Sequence, residues 1–166
     1  LPVLRRDPAV RFIELPAERL WVALPQAHRL ATRETLNLAE LAEEPFVSAV
    51  HRERGGLARC MTNLCLNRGF VPRLASVISR KTSMLALVGA GFGLAVVPEC
   101  MVQTNTSGVT YRALSDSDAV SNGALVLPLE CSALAQRFVK IAQETFSSRA
   151  NFEQKKADLL GPLPAN

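Results

Sequence analysis

The sequence has few aromatic residues and no apolar run long enough to cross a membrane. Aromatic side chains make up 5% of the 166 residues, and they are not interleaved with a basic stripe of the kind that binds nucleic acid. The longest apolar stretch, 84–97, contains three glycines and is shorter than the roughly 20 residues of a spanning helix. No secretory signal is visible at the start. We therefore expect a cytoplasmic, globular chain without a membrane partner.

The sequence also lacks the common catalytic and metal-binding motifs. It contains no GxSxG, HExxH or GxxxxGK[ST] pattern, and neither His28 nor His51 has a partner at metal-ligand spacing. No CxxC pair occurs, so we interpret the cysteines as reduced packing residues, with a metal or redox site as the alternative. We predict no catalytic residue, no metal and no cofactor. The four cysteines are Cys60, Cys65, Cys100 and Cys131.

Three further polar features are interpreted as structural rather than catalytic. Glu43 and Glu44 end a short helix and are predicted to be solvated. Asp116 and Asp118 lie in the sequence SDSDAVSN, which is typical of a surface turn. His28 is predicted to cover a turn rather than act as a base.

Apolar periodicity predicts alternating strands and helices, and hence an α/β fold with parallel strand pairs. The segment LWVAL is almost continuously apolar and should be buried on both faces. Asn37 and Glu40 form a capping-box pattern, and Ser132 can cap the last helix. We predict strands at 10–15, 20–25, 46–49, 72–79, 94–97, 109–114 and 125–129, and helices at 38–44, 57–68, 82–90 and from 133.

The run MLALVGAGFGLAVVP, 84–98, contains glycines at positions 89, 91 and 93. A dinucleotide-binding loop is one interpretation, but that motif places the glycines before a helix, whereas here the predicted helix comes first. The carboxyl end of a helix carries partial negative charge and repels phosphate. We therefore favour a helix C-cap and a tight corner into the next strand.

The segment SRKTS, 79–83, precedes this same helix and could hold a small anion. Unpaired N–H groups at a helix start, two hydroxyls and two cationic side chains suit a carboxylate. The alternative is ordinary capping by Thr82 or Ser83. Ser48, at the end of another predicted strand, would lie on the same side of the sheet. The predicted effector-binding residues are Ser48, Arg80, Lys81, Thr82 and Ser83.

Several segments resemble the effector-binding domain of LysR-type transcriptional regulators, over about residues 1–147. ALVGAGFGLAVVP is similar to the family's apolar helix, GxG and strand ending in Pro. ERLWVALPQAHRLA resembles the segment that closes its first lobe, with Arg29 in place of the usual proline. LNLAELAEEPFV resembles the opening of the second lobe, and VTYRALSDSDAV followed by ALVLPL resembles the return to the first. LPVLRRDPAVRF is similar to sequences from the branch of this family that responds to muconate, benzoate and related compounds.

The resemblance implies a two-lobe, periplasmic-binding-protein-like fold with a small effector between the lobes. It implies a complete second lobe at 25–107, a partial first lobe at 1–24 and 108–147, and a flexible tail at 148–166. The family's winged helix-turn-helix and the first elements of its first lobe do not precede these segments in the sequence.

The expected function is therefore that of a ligand-sensing regulatory domain that binds a carboxylate or aromatic acid. The resemblance implies DNA contact only through the winged helix-turn-helix, and a homo-oligomer. The alternative is a small-molecule-binding protein or an enzyme on the same two-lobe fold. A secreted binding protein would need an export signal, and an enzyme would need a nucleophile or base with an orienting partner.

Overall fold

A computed structural model describes residues 9–49, 56–78 and 81–160, and within these ranges it contains nine strands and three α-helices. Short 3₁₀ helices occupy Arg29–Thr32, Leu38–Leu41 and Glu99–Met101. The strands are β1 Val10–Glu14, β2 Glu18–Pro25, β3 Thr35–Leu36, β4 Pro45–Ala49, β5 Arg73–Ile78, β6 Ala95–Pro98, β7 Val109–Leu114, β8 Val120–Ser121 and β9 Ala124–Pro128. The helices are α1 Leu57–Asn67, α2 Lys81–Gly89 and α3 Ala133–Leu160.

Most predicted elements lie within two residues of the observed ones, but two helices differ. The segment predicted as a helix at 38–44 is a 3₁₀ turn, because β4 begins at Pro45 and leaves room for little more than one turn. Its predicted capping box is confirmed: Asn37 Oδ1 accepts from Ala39 N, and Glu40 Oε2 accepts from Asn37 N.

The last helix is longer than predicted. Ser132 caps it as predicted, because its Oγ accepts a hydrogen bond from Ala135 N at 3.3 Å. The helix continues to Leu160, through most of the segment predicted as a flexible tail at 148–166. No glycine or proline interrupts 133–160, and the residues of that span that follow Ser148 are mainly good helix formers. Residues 161–166 lie outside the described part.

Strand β2 lies at the centre of the largest sheet and pairs antiparallel with β6, β7 and β8. Strands β1 and β9 are also antiparallel. The parallel pairs in the described part are β3–β7 and β4–β5, with one further parallel bridge between Phe46 and Leu94. The predicted parallel strand pairs are therefore present, but the antiparallel partners of β2 were not predicted. Parallel neighbours need a crossover, and α1 supplies one between β4 and β5.

Both faces of β2 are covered, as the run LWVAL predicts. Leu20, Val22 and Leu24 belong to one apolar cluster, which also contains Phe46. Ala23 belongs to a second cluster, against which Trp21 packs. Burial of both faces explains why the strand shows no apolar–polar alternation.

Contacts within the chain define two compact units. In the described part, unit 1 is Glu18–Ser121, and unit 2 comprises 9–17 and 122–160. The lobe boundaries at residues 25 and 107 stay predictions, and β2, β6 and β7 belong to one sheet. Unit 2 contains the β1–β9 pair and α3, with Leu127 and Val139 buried.

Candidate functional site

The glycine run ends α2 and turns the chain into β6. Gly91 has φ +83°, its N–H donates to Val88 O, and the N–H of Phe92 donates to Leu87 O. These two bonds form a Schellman cap, which closes a helix on a left-handed glycine. The interpretation of the run as a structural corner is confirmed, and the phosphate-loop alternative is wrong for this geometry.

Gly93 then lets the chain pass directly against β4. A Cβ at this position would lie 2.5 Å from Pro45 O, and φ is +146°. Leu94 N donates to Pro45 O at 2.8 Å, and Val47 N donates to Leu94 O at 2.7 Å. The corner therefore fixes β4 beside the start of β6, and in doing so it positions the residue after Val47, Ser48.

Strands β4 and β5 are parallel and end side by side. Ser48 is the register partner of Val77, and Ala49 is the partner of Ile78. Helix α1 follows β4 and α2 follows β5, so both helices begin at the carboxyl edge of this pair. Ligands of α/β sheets commonly bind at such an edge.

A small open pocket lies at this edge, within unit 1. Ser48 lines it and is 6% exposed, the one polar residue among the buried residues of the described part. No hydrogen bond to the Ser48 hydroxyl is formed within that part. The other described lining residues are apolar: Val47, Leu57, Ala58, Met61, Met84 and Val96.

The first turn of α2 approaches the same pocket, because Met84 of α2 lines it together with Ser48. Helix α2 begins at Lys81, which places Thr82 and Ser83 inside its first turn rather than at a cap before it. Ser83 is exposed. For Lys81 and Thr82 the described geometry is that of the backbone, and Arg80 lies outside the described residues. The structure thus brings Ser48 and the start of α2 to one pocket, and the roles of these residues remain predictions.

Met61 and Met84 also line the pocket, which was not predicted. Met61 continues the apolar face of α1, and Met84 begins the apolar run of α2. Spacing predicts burial for both, and both are 3% exposed. Nothing in the local sequence distinguishes a methionine that fills a core from one that borders a pocket.

His28 and Glu44 form a structural group. His28 Nδ1 accepts from Leu30 N at 3.2 Å, so His28 caps a turn as predicted. Its Nε2 lies 3.4 Å from Glu44 Oε2, and Arg29 Nη2 lies 2.6 Å from Glu44 Oε1. The prediction that Glu44 is solvated is wrong, because these two partners cover its carboxylate, whose side chain is 14% exposed.

Asp116 is likewise not a simple surface residue. Its Oδ1 lies 2.7 Å from Arg68 Nε, and its Oδ2 accepts from Leu38 N at 2.8 Å. Asp118 contacts Arg68 Nη2 at 2.5 Å. Its hydrogen bond to Arg68 lowers the pKa of Asp118, and that same bond raises the pKa of Arg68. These contacts join Arg68, the residue after α1, to the loop before β8.

The cysteines form no disulfide and, among the residues that the structure describes, no metal-binding cluster of histidine, cysteine or carboxylate exists. Burial raises the pKa of the Cys65 thiol to about 11 and also raises that of Cys60. Cys65 is fully buried, as a packing residue should be, whereas Cys100 is exposed, contrary to the prediction. No helix in the described ranges is long and apolar enough to span a membrane.

The chain is similar to known proteins in both sequence and fold. The sequence model of one family, the LysR substrate binding domain, matches residues 1–147. The chain is 34% identical over 118 residues to the HTH-type transcriptional regulator TtuA of Agrobacterium vitis, a match that covers 71% of this chain and 38% of that protein. The chain thus spans only about half the length of that relative.

Two solved structures share the fold. The effector binding domain of BenM with its effector benzoate matches with a TM-score of 0.79 and 21% identity, over 90% of this chain and 68% of that one. The effector binding domain of QuiR in complex with shikimate matches with a TM-score of 0.74 and 17% identity, over 87% and 69%. The predicted α/β, periplasmic-binding-protein-like fold is confirmed.

Proposed function

The chain belongs to the LysR substrate-binding domain family, and from this membership we propose that it is the effector-sensing part of a LysR-type transcription regulator. In this proposal unit 1 is the second lobe and unit 2 is part of the first. The relative found by sequence is named a transcriptional regulator, so the alternatives of an enzyme and of a secreted binding protein lose their support.

The proposed effector is a small carboxylate held at the carboxyl edge of β4 and β5. The observation that carries this proposal is Ser48, which is more than nine-tenths buried and lines a pocket that is otherwise apolar among its described residues. A hydroxyl in such surroundings is stabilised by an acceptor that reaches it. A carboxylate oxygen is such an acceptor, and its hydrogen bond with a hydroxyl is charge-assisted.

Helix α2 supplies the second part of the proposed site. The first N–H groups of a helix have no intrahelical partner, and their end of the helix carries partial positive charge. Lys81, Thr82 and Ser83 contribute those groups, and Arg80 would add positive charge from the preceding position. Benzoate and shikimate, named with the two similar structures, are both carboxylates on six-membered rings, which supports the predicted branch and this ligand class.

The effector would act by shifting a conformational equilibrium. A ligand that binds one arrangement of the sensor more tightly than another raises the population of that arrangement. DNA contact would be made by a winged helix-turn-helix that is separate from residues 1–166, in a homo-oligomer in the cytoplasm. No chemical step is needed, and no catalytic residue or cofactor is invoked.

Calorimetric titration of the chain with benzoate, cis,cis-muconate and shikimate tests the proposal. We expect at least one carboxylate to bind with saturation, and Ser48→Ala to weaken it roughly tenfold or more, as expected for loss of a hydrogen bond to a charged group. The matched control is Ser115→Ala, because Ser115 Oγ bonds to Leu36 O at 3.3 Å and does not line the pocket. Equal affinity in the two variants would contradict the assigned site.

A further inference from the structure

We infer that His28 makes the 3₁₀ helix Arg29–Thr32 sensitive to pH, because the neutral imidazole caps this helix and the imidazolium releases it. The helix lies in unit 1, and its residues are not among the described lining of the effector pocket. The device is therefore separate from the proposed effector site, and its failure would leave the proposed function standing.

The contacts of the His28 ring define where its proton lies. Nδ1 accepts a hydrogen bond from Leu30 N at 3.2 Å, and a ring nitrogen can accept only when it carries no proton. The proton of the neutral ring is therefore on Nε2, which lies 3.4 Å from Glu44 Oε2. The ring thus caps the helix with one nitrogen and faces a carboxylate with the other.

Protonation changes which partner the ring can keep. Both nitrogens of an imidazolium are donors, so Nδ1–H and the N–H of Leu30 would meet as two donors and the cap would be lost. At Nε2 the imidazolium gains an ion pair with Glu44, whose side chain is 14% exposed. Histidine side chains change charge between about pH 8 and pH 5. Acidification therefore makes His28 release the helix while its contact with Glu44 becomes stronger.

The other charged groups at this helix do not replace the lost acceptor. Arg29 Nη2 lies 2.6 Å from Glu44 Oε1, and Arg112 of β7 donates from Nη2 to Ala31 O. Both are cations and offer the N–H of Leu30 no acceptor. The side chain of Leu30 is 6% exposed and belongs to the core. Loss of the cap therefore loosens the helix where it joins the core and β7.

The neighbouring 3₁₀ helix, Leu38–Leu41, provides a matched comparison within the same chain. Its cap has the same spacing, because Asn37 Oδ1 accepts from Ala39 N at 2.9 Å. An amide side chain does not titrate, so this cap keeps its acceptor when the pH changes. A loss of protection that is specific to Leu30 can therefore be assigned to the imidazole rather than to a general effect of acid.

Amide hydrogen exchange of the ¹⁵N-labelled chain at about pH 5.5 and pH 8 tests the inference. Each rate is divided into the rate of an unstructured peptide at the same pH, which gives the protection of that amide. The ¹⁵N shifts of the His28 ring show which nitrogen carries the proton. The variant His28→Asn keeps a side-chain acceptor, as Asn37 does, but cannot titrate, and circular dichroism verifies that it is folded.

We expect the protection of the Leu30 amide to fall about two- to tenfold on acidification, together with protonation of the ring, while Ala39 is unchanged. In His28→Asn the protection of Leu30 should not depend on pH. An equal fall at Leu30 and Ala39, an unchanged Leu30 amide, or a neutral ring with its proton on Nδ1 would overturn the inference, even if the variant did not fold. A folded variant in which Leu30 still responds to pH would also overturn it.

Discussion

Replacing Gly93 with alanine is expected to destabilise the chain far more than the same change at Gly91. At Gly93 the added Cβ would lie 2.5 Å from the oxygen and 3.0 Å from the carbon of the Pro45 carbonyl. Both are backbone atoms, so the start of β4 would have to move. The φ of +146° adds strain for any residue with a side chain.

The size of the destabilisation follows from the hydrogen bonds that a movement of β4 would disturb. The bonds Leu94 N to Pro45 O and Val47 N to Leu94 O hold the two segments together, and each is worth about 1 kcal/mol. With about 1–3 kcal/mol of backbone strain, we expect Gly93→Ala to lower the free energy of unfolding by about 3–5 kcal/mol. A Cβ on Gly91 meets no atom within 4 Å, so Gly91→Ala should cost only about 1 kcal/mol.

Urea unfolding of the chain and the two variants, followed by circular dichroism, measures this difference. Wild type provides the reference free energy and slope. If the two substitutions cost the same, or if Gly93→Ala is neutral, the glycine corner does not hold β4 in place. The account of how Ser48 is positioned would then be refuted.

Three further outcomes are expected. Arg68→Ala should lower the free energy of unfolding by about 2–4 kcal/mol, because it leaves the Asp116 carboxylate, whose side chain is 4% exposed, without its cation. Arg33→Ala, which removes an exposed ion pair, should cost under about 0.5 kcal/mol, and equal losses would contradict this. Because Arg68 lowers the pKa of Asp118, the ion pair stabilises the folded chain at neutral pH, and this stabilisation is lost as the pH falls below about 4. In urea unfolding at neutral and acid pH, Asp118→Asn should lose less of its free energy of unfolding than wild type on acidification. An equal loss in the two proteins would contradict this role of Asp118. Cys65, with a pKa of about 11, should resist alkylation at pH 8 in the native chain and react after unfolding in urea, as measured by peptide mass; equal rates would contradict its burial.

Local features of the sequence predicted much of the fold. The capping box at Asn37, the serine cap at Ser132 and the helix-to-strand corner at Gly91 depend on residues close together in the chain. The apolar run around Val22 indicates a strand buried on both faces without any knowledge of its partners. Such features are fixed by short-range geometry, and the structure confirms them.

Strand direction and long-range polar contacts could not be predicted in this way. Apolar patterning gives a strand's buried faces but not the direction of its neighbour, so the antiparallel partners of β2 were missed. The Asp116 carboxylate bonds to Arg68 and to the backbone N–H of Leu38, which lie 48 and 78 positions earlier in the chain. Its local sequence resembles any polar turn. Met61 and Met84 meet at the pocket only because β4 and β5 lie side by side.

An NMR titration of the ¹⁵N-labelled chain with benzoate tests the central claim most directly, because it reports where a carboxylate binds. We predict saturable shifts of the backbone amide signals of Lys81–Ser83 and of Ser48, and the loss of these shifts in Ser48→Ala but not in Ser115→Ala. Saturable shifts confined to β9 and α3 of unit 2, with the signals of Ser48 and α2 unmoved, would contradict the claim that this pocket is the effector site.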